Sequence, residues 1–328
     1  MSDIVELGGR YRLERKIGEG GMGQVYLGVD TRLGRSVAVK VLPRSVDSDP
    51  EGVQRFMREA RLAATLQHPG ITVVHDIDVD NTRPDDKVLY LVMELLAGED
   101  LGKIIERGAV RLDLAVDLAV QIAEALSAAH AQGVIHRDLK PANVMVVDGN
   151  RAKICDFGIA RHVSSATGLT GSGVLGTPVY MAPEQFLGHQ IDARTDLYLL
   201  GGVFHEIFGG QPPFPIDEGI EALVQGHLKH RPRGPQAGNP QVPEEIQRLV
   251  LDLLAKDPHD RPADAKEVVR RLKAIRMAPA PQAPSGPAHR ADPDEEFEKL
   301  NRRAARYCHE GRFADAATAA DQAARGRH

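Results

Sequence analysis

Cysteine is scarce: the 328 residues hold two, Cys155 and Cys308, far apart in the chain. Two such residues are no disulfide framework, and they fit a reducing compartment. Neither Cys nor His recurs at the spacing of a metal site. Long apolar runs are missing too. No stretch of about 18 uncharged apolar residues occurs, so no membrane span is expected. The opening MSDIVELGGRYRLER carries charge where a signal peptide needs an apolar run. Positive charge is also not in excess: 41 Lys and Arg stand against 46 Asp and Glu, a net charge of −5. A general nucleic-acid binder needs the opposite balance to neutralise phosphates. The expectation is a soluble cytoplasmic protein with no nucleic-acid partner, its 13 histidines scattered and mostly at the surface.

What remains is an ordinary globular composition, 42% hydrophobic and 27% charged. Residues 11–42 alternate apolar and polar positions around glycine-rich turns, and VYLGVD and SVAVKVL read as strands. EGVQRFMREARLAATLQ (51–67) reads as a helix ended by HPG, and ITVVHDIDVD and VLYLVMEL read as further strands. After about residue 98 the character changes. Leu118, Ile122, Leu126 and Ala129 fall on one helical face, as do Ile246, Leu249, Val250, Leu253 and Leu254. Residues 134–190 and 230–243 read as loops. The fold class expected is α+β: a small strand-rich lobe, a larger helical lobe, and a short helical segment at the C-terminus.

Five short stretches carry chemistry. GEGGMGQV places Gly18, Gly20 and Gly23 in a G-x-G-x-x-G pattern ahead of Val25, where bare backbone N–H groups can approach a phosphate. Alone this fits a tight turn as well, and the strand that follows it disfavours a dinucleotide fold. Lys40 ends the apolar VAVK strand; an ammonium there needs an anion, and Glu59 on the following helix is the expected partner. HRDLKPANV gathers a base (Asp138), a cation (Lys140) and an amide (Asn143), and DFG adds Asp156. A carboxylate and an amide are oxygen donors suited to Mg²⁺ that keeps substrate phosphate among its ligands. The fifth stretch, APE at 182–184, says nothing by itself.

In this order the stretches resemble the signature set of protein kinases, over residues 11–275, with an N-lobe to about 96 and a C-lobe from about 97. GEGGMGQVYLG, HRDLKPANVMV and GTPVYMAPEQ look like the bacterial Hanks-type (eukaryotic-like) serine/threonine kinases. The resemblance implies a two-lobed kinase fold and a non-specific serine/threonine protein kinase. It implies that Gly18, Gly20 and Gly23 cover the phosphates of ATP, and that Lys40, held by Glu59, grips the α- and β-phosphates. Asp138 would accept the substrate proton and Lys140 neutralise the γ-phosphate. Asn143 and Asp156 would ligate Mg²⁺, with Mn²⁺ as an alternative. Ile17, Val25, Ala38 and Met145 would enclose the adenine, Met93 would stand as gatekeeper, and the backbone of Glu94 and Leu96 would meet the base edge. Asp100 would reach the ribose. Arg261 would pair with Glu184 as a structural bridge, and Asp196 would brace the catalytic loop. No catalytic position departs from the pattern, which speaks against a pseudokinase.

The run SSATGLTGSG (164–173) then lies between Asp156 and Glu184, in the activation loop. Its hydroxyls suit autophosphorylation: Thr170 first, Ser172 second, Thr167 third. A loop phosphate would pair with Arg137, while Thr177 would make a structural contact. Residues 278–293 hold five prolines and read as a linker. Residues 294–328 read as a helical hairpin resembling one tetratricopeptide unit, which cannot bury its apolar face alone and so calls for a partner. Kinases of this type pair through their small lobes, and Arg10, Leu33 and Asp76 would lie on such a homodimer face. Two alternatives stand beside the leading one. A small-molecule kinase is disfavoured by the APE segment and the long loop. A kinase-fold scaffold would act through the C-terminal segment.

Overall fold

Alternating apolar residues make the first lobe a sheet. The computed structural model describes residues 5–20, 23–42, 50–81, 87–157, 178–214 and 219–277. Strands β1 (Glu6–Leu7), β2 (Tyr11–Gly20), β3 (Gly23–Asp30), β4 (Arg35–Val41), β5 (Val74–Asp80) and β6 (Val88–Glu94) form one antiparallel sheet in the order β1-β2-β3-β4-β6-β5. Its register sets Val25 opposite Lys40 and Ala38 opposite Met93. Helix α1 (Pro50–Ala64) turns Phe56, Ala60 and Ala63, one helical stripe, into the core. The two-residue strand β1 lies ahead of residue 11 and pairs with β2.

The second lobe is built on α3 (Leu112–Ala131), an Ala- and Leu-rich stretch of high helix propensity. Leu118, Ile122 and Leu126 are fully buried on it, each worth roughly 1.5–3 kcal/mol of burial. Gly133, at φ 73°, ends the helix: its N–H bonds His130 O, and Val134 N–H reaches back to Ala129 O. Helices α2 (Leu101–Glu106), α4 (Pro183–Phe186), α5 (Ala193–Gly209), α6 (Ile220–Lys229), α7 (Glu244–Leu253) and α8 (Ala265–Met277) complete the lobe. Helix α5 is buried on every side from Thr195 to Gly209, and α8 packs along α3.

One expectation needs correcting. The stretch 134–190 is not all loop: β8 (Val144–Val147) and β9 (Arg151–Ile154) pair with β7 (Gly98–Asp100) in a small antiparallel sheet. Four-residue strands are too short to show a period. Of the histidines, expected mostly at the surface, His136, His205 and His227 are buried. Among the described residues no helix is long and apolar enough to cross a membrane. The five-proline linker, the C-terminal hairpin, and Thr167, Thr170, Ser172 and Thr177 lie outside the described residues.

Candidate active site

The small sheet frames the site. Its strands β8 and β9 place the HRDLKPAN loop just before one strand and Asp156 just after the other. The loop's backbone is forced: Arg137 has φ 65° and Asp156 φ 54°, left-handed values that non-glycine residues adopt only under restraint. The restraint on Arg137 comes from α5. Buried Asp196 accepts the backbone N–H groups of His136 and Arg137, both at 2.7 Å, and contacts His130 Nε2 at 2.7 Å. His136 is also fixed. Asp138 N–H donates to its Nδ1 at 3.2 Å, so Nε2 carries the hydrogen and donates to Cys155 O at 3.0 Å. Burial lowers the His136 pKa below its usual value, which keeps the ring neutral.

Asp138 sits at the end of this frame. Asn143 Nδ2 donates to its carbonyl oxygen at 2.7 Å and to its carboxylate at 3.2 Å. Lys140 Nζ lies 3.3 Å from the same carboxylate. Asp138, the Asn143 amide and the Lys140 cation are thus within one bonded group. Asn143 Oδ1 accepts no bond among the described residues, which leaves it as a donor to a cation.

Lys40, 8% exposed, finds its anion across the cleft between the lobes. The partner is Asp156, with Nζ to Oδ1 at 2.9 Å. Burial pushes the Asp156 carboxyl up, but the Lys40 ammonium overrides it and holds the carboxyl below the ordinary range. The expected Lys40–Glu59 ion pair is therefore not the one formed. Glu59 Oε1 instead lies 2.7 Å from Arg137 Nη1.

The other predicted residues fall around the cleft. Val25, Ala38 and Met93 pack in the hydrophobic core beneath the sheet, with Ala38 and Met93 buried and Ile17 41% exposed. Gly18 lies against Val25, and Gly23, at φ 116°, faces the carbonyl of Val41 so closely that any side chain would collide. Glu94 N–H is committed to Val73 O at 3.0 Å, and its carboxylate meets Lys153 Nζ at 2.6 Å. Met145 stands in β8 opposite Asp100. Asp100 caps α2, accepting Lys103 N–H at 3.0 Å, so its carboxylate is already in use there. Arg261 and Glu184 are brought together at 2.7 and 2.9 Å, both buried. Arg10 pairs with Asp30 at 2.7 Å and Asp76 at 3.2 Å within the chain, and Leu33, 61% exposed, bonds back to Asp30 through its N–H. The motifs did not flag His227, which is buried on α6; its place on the Ile220–Leu223–Val224 stripe was the available signal.

This arrangement belongs to a known family. The protein kinase domain family matches residues 11–272, and the chain is a member of it. Members use ATP with a divalent cation and act on proteins. The chain is 42% identical over 282 residues to the serine/threonine-protein kinase PknA of Mycobacterium tuberculosis, covering 86% of this chain and 64% of that one. It is 40% identical over 287 residues to PknB of Mycolicibacterium smegmatis, covering 87% of this chain and 46% of the relative. It therefore spans less than two thirds of the length of these relatives. Among solved structures, the kinase domain of Mycobacterium tuberculosis PknI superposes with a TM-score of 0.66 at 27% identity, covering 84% of this chain and 99% of that one. These likenesses support the bacterial Hanks-type resemblance of the motifs.

Proposed function

We propose that this chain is a serine/threonine protein kinase that moves the γ-phosphoryl group of ATP to hydroxyls of protein substrates. The observation that carries this reading is the group Asp138–Asn143–Lys140, set in one bonded cluster beside the Lys40–Asp156 pair. Asp138 accepts the proton of the attacking hydroxyl, and Lys140 holds charge beside it. Lys40 turns from Asp156 to the α- and β-phosphates when nucleotide enters. Phosphoryl transfer asks mainly for positioning and charge stabilisation, and these side chains supply both. The adenine lies against Ile17, Val25, Ala38, Met93 and Met145, and any contact of Glu94 with the base runs through its carbonyl.

The residues fit Mg²⁺. The Asp156 carboxylate and the free Asn143 oxygen make an open oxygen pair, and no group of three or more His, Cys, Asp or Glu gathers among the described residues into a closed cage. The cation, when bound, neutralises phosphate charge. The same proposal includes autophosphorylation at Thr170, Ser172 or Thr167, homodimerisation through the small lobe, a cytoplasmic location, and a partner for residues 294–328.

The purified chain, given radiolabelled ATP and Mg²⁺, is expected to label itself and acceptor proteins. Labelling is lost in Asp138→Asn and Lys40→Met. No labelling of self or of acceptor proteins by the unaltered chain overturns the reading.

A further inference from the structure

Helix α6 grips the segment after residue 177 from within. Val179 packs with Phe214 and Leu223 in a small apolar cluster apart from the main core. His227 on α6 sets Nε2 2.9 Å from Val179 O and Nδ1 2.9 Å from the Tyr198 hydroxyl. The carbonyl fixes the protons. It only accepts, so Nε2 carries hydrogen; in the neutral ring Nδ1 is then bare, and Tyr198 donates to it. The Tyr198 oxygen accepts in turn from Lys256 Nζ at 3.3 Å, an ammonium also bonded to Gly226 O at 2.9 Å. Donation therefore runs one way, from Lys256 to Tyr198 to His227 to Val179.

The far end of the segment is tied to the catalytic loop. Gln185 Nε2 donates to Arg137 O at 2.9 Å, one residue before Asp138. Midway, Tyr180 donates to Glu206 at 2.7 Å. Helix α6 is itself anchored: the two nitrogens of His205 lie 2.7 Å from Gln211 O and 2.7 Å from Arg233 O, on either side of it in sequence. Residues 179–185 are thus held at both ends, at Val179 by His227 and at Gln185 by the carbonyl of Arg137, the residue before Asp138.

We propose that His227 is a positioning residue for the protein substrate: by holding the Val179 carbonyl it sets the segment along which an acceptor peptide reaches Asp138. This rests on the kinase reading above. A histidine that only filled space would affect peptide and nucleotide alike, or neither.

The test is steady-state phosphorylation by the full chain of a threonine peptide selected with the unaltered enzyme from a synthetic library. His227→Phe keeps the bulk and loses both polar contacts. It should raise the peptide KM roughly three- to tenfold, the scale of one hydrogen bond, with the ATP KM and peptide-free ATP hydrolysis unchanged. His227→Gln, whose amide N–H reaches Val179 O, should restore most of the peptide affinity. Tyr198→Phe, which unhooks Nδ1, should give a smaller rise and serves if His227→Phe fails to fold. An unchanged peptide KM in the folded variants overturns the inference, as does a parallel rise in both KM values. An unaltered enzyme that phosphorylates no peptide overturns the kinase reading as well.

Discussion

Glu59 on α1 and Arg137 in the catalytic loop are joined at 2.7 Å, while Lys40 is joined to Asp156 at 2.9 Å. In the proposed function nucleotide draws on Lys40, and the resemblance to kinases pairs that lysine with Glu59. On that reading the two ion pairs are coupled, and loading the site should exchange their partners. A double-mutant cycle with Glu59→Gln and Arg137→Gln, read by chemical unfolding, should give a coupling of about 0.5–1 kcal/mol without nucleotide, the scale of a partly exposed pair. With saturating ATP and Mg²⁺ the coupling should fall toward zero. Equal coupling in both conditions would show that the pair persists in the loaded enzyme.

The Glu184–Arg261 bridge is a different case, since both partners are buried. Burial raises the Glu184 carboxyl, and the Arg261 guanidinium more than reverses this, so its pKa is lowered on folding. The bridge stabilises above the carboxyl's unfolded pKa, and this contribution is lost as pH falls through the folded value. At neutral pH, Arg261→Ala should cost about 3–5 kcal/mol, because a buried carboxylate is left without its cation. Urea unfolding at pH 7 measures it. A loss below 1 kcal/mol would mean that water or another cation replaces the arginine.

Gly23 has φ 116° and no room for a side chain against Val41. Gly23→Ala should destabilise the small lobe by roughly 1–3 kcal/mol and weaken nucleotide binding, as the β2–β3 turn shifts. Thermal unfolding and titration with a fluorescent ATP analogue check the two effects.

Cys155, just before Asp156, is held next to Thr72, with Sγ to Oγ1 at 3.0 Å. Burial pushes its thiol up to about 12. Only the thiolate is an efficient nucleophile. At pH 8 the folded chain should alkylate at Cys155 far more slowly with iodoacetamide than the urea-unfolded chain, as mass spectrometry of that peptide will show.

His227 also leaves a thermodynamic trace. Burial, reinforced by Lys256, lowers its pKa to about 3, against an ordinary value near 6.5. Between those values the unfolded chain takes up a proton that the folded chain refuses, so stability from this group is complete above about pH 6.5 and declines as pH falls. The stability difference between the unaltered chain and His227→Gln should grow from pH 4 to pH 6.5 and then level off. A flat difference would contradict burial as the cause.

Much of this was legible from residue spacing. Leu118, Ile122, Leu126 and Ala129 predicted α3, and the structure places it at Leu112–Ala131. The cluster of Asp138, Lys140 and Asn143 was legible because the three share one short run. What spacing could not carry was pairing between distant segments. Lys40, Glu59, Arg137 and Asp156 come from four separate stretches of the chain, and which cation meets which carboxylate depends on how those stretches fold together. The buried role of His227 was likewise tertiary, set by Tyr198 and Val179, which are 29 and 48 residues away in sequence.

Asp196 ties the shape of the catalytic loop to the most buried helix among the described residues. The amides of His136 and Arg137 end on a side chain of α5, so they become free to trade hydrogen with solvent only when that contact opens. The loop around Asp138 should therefore show the slow exchange of the core rather than the fast exchange of a surface turn. In the proposed function its geometry would be in place before ATP or substrate arrives, leaving little ordering for the reaction itself to bear.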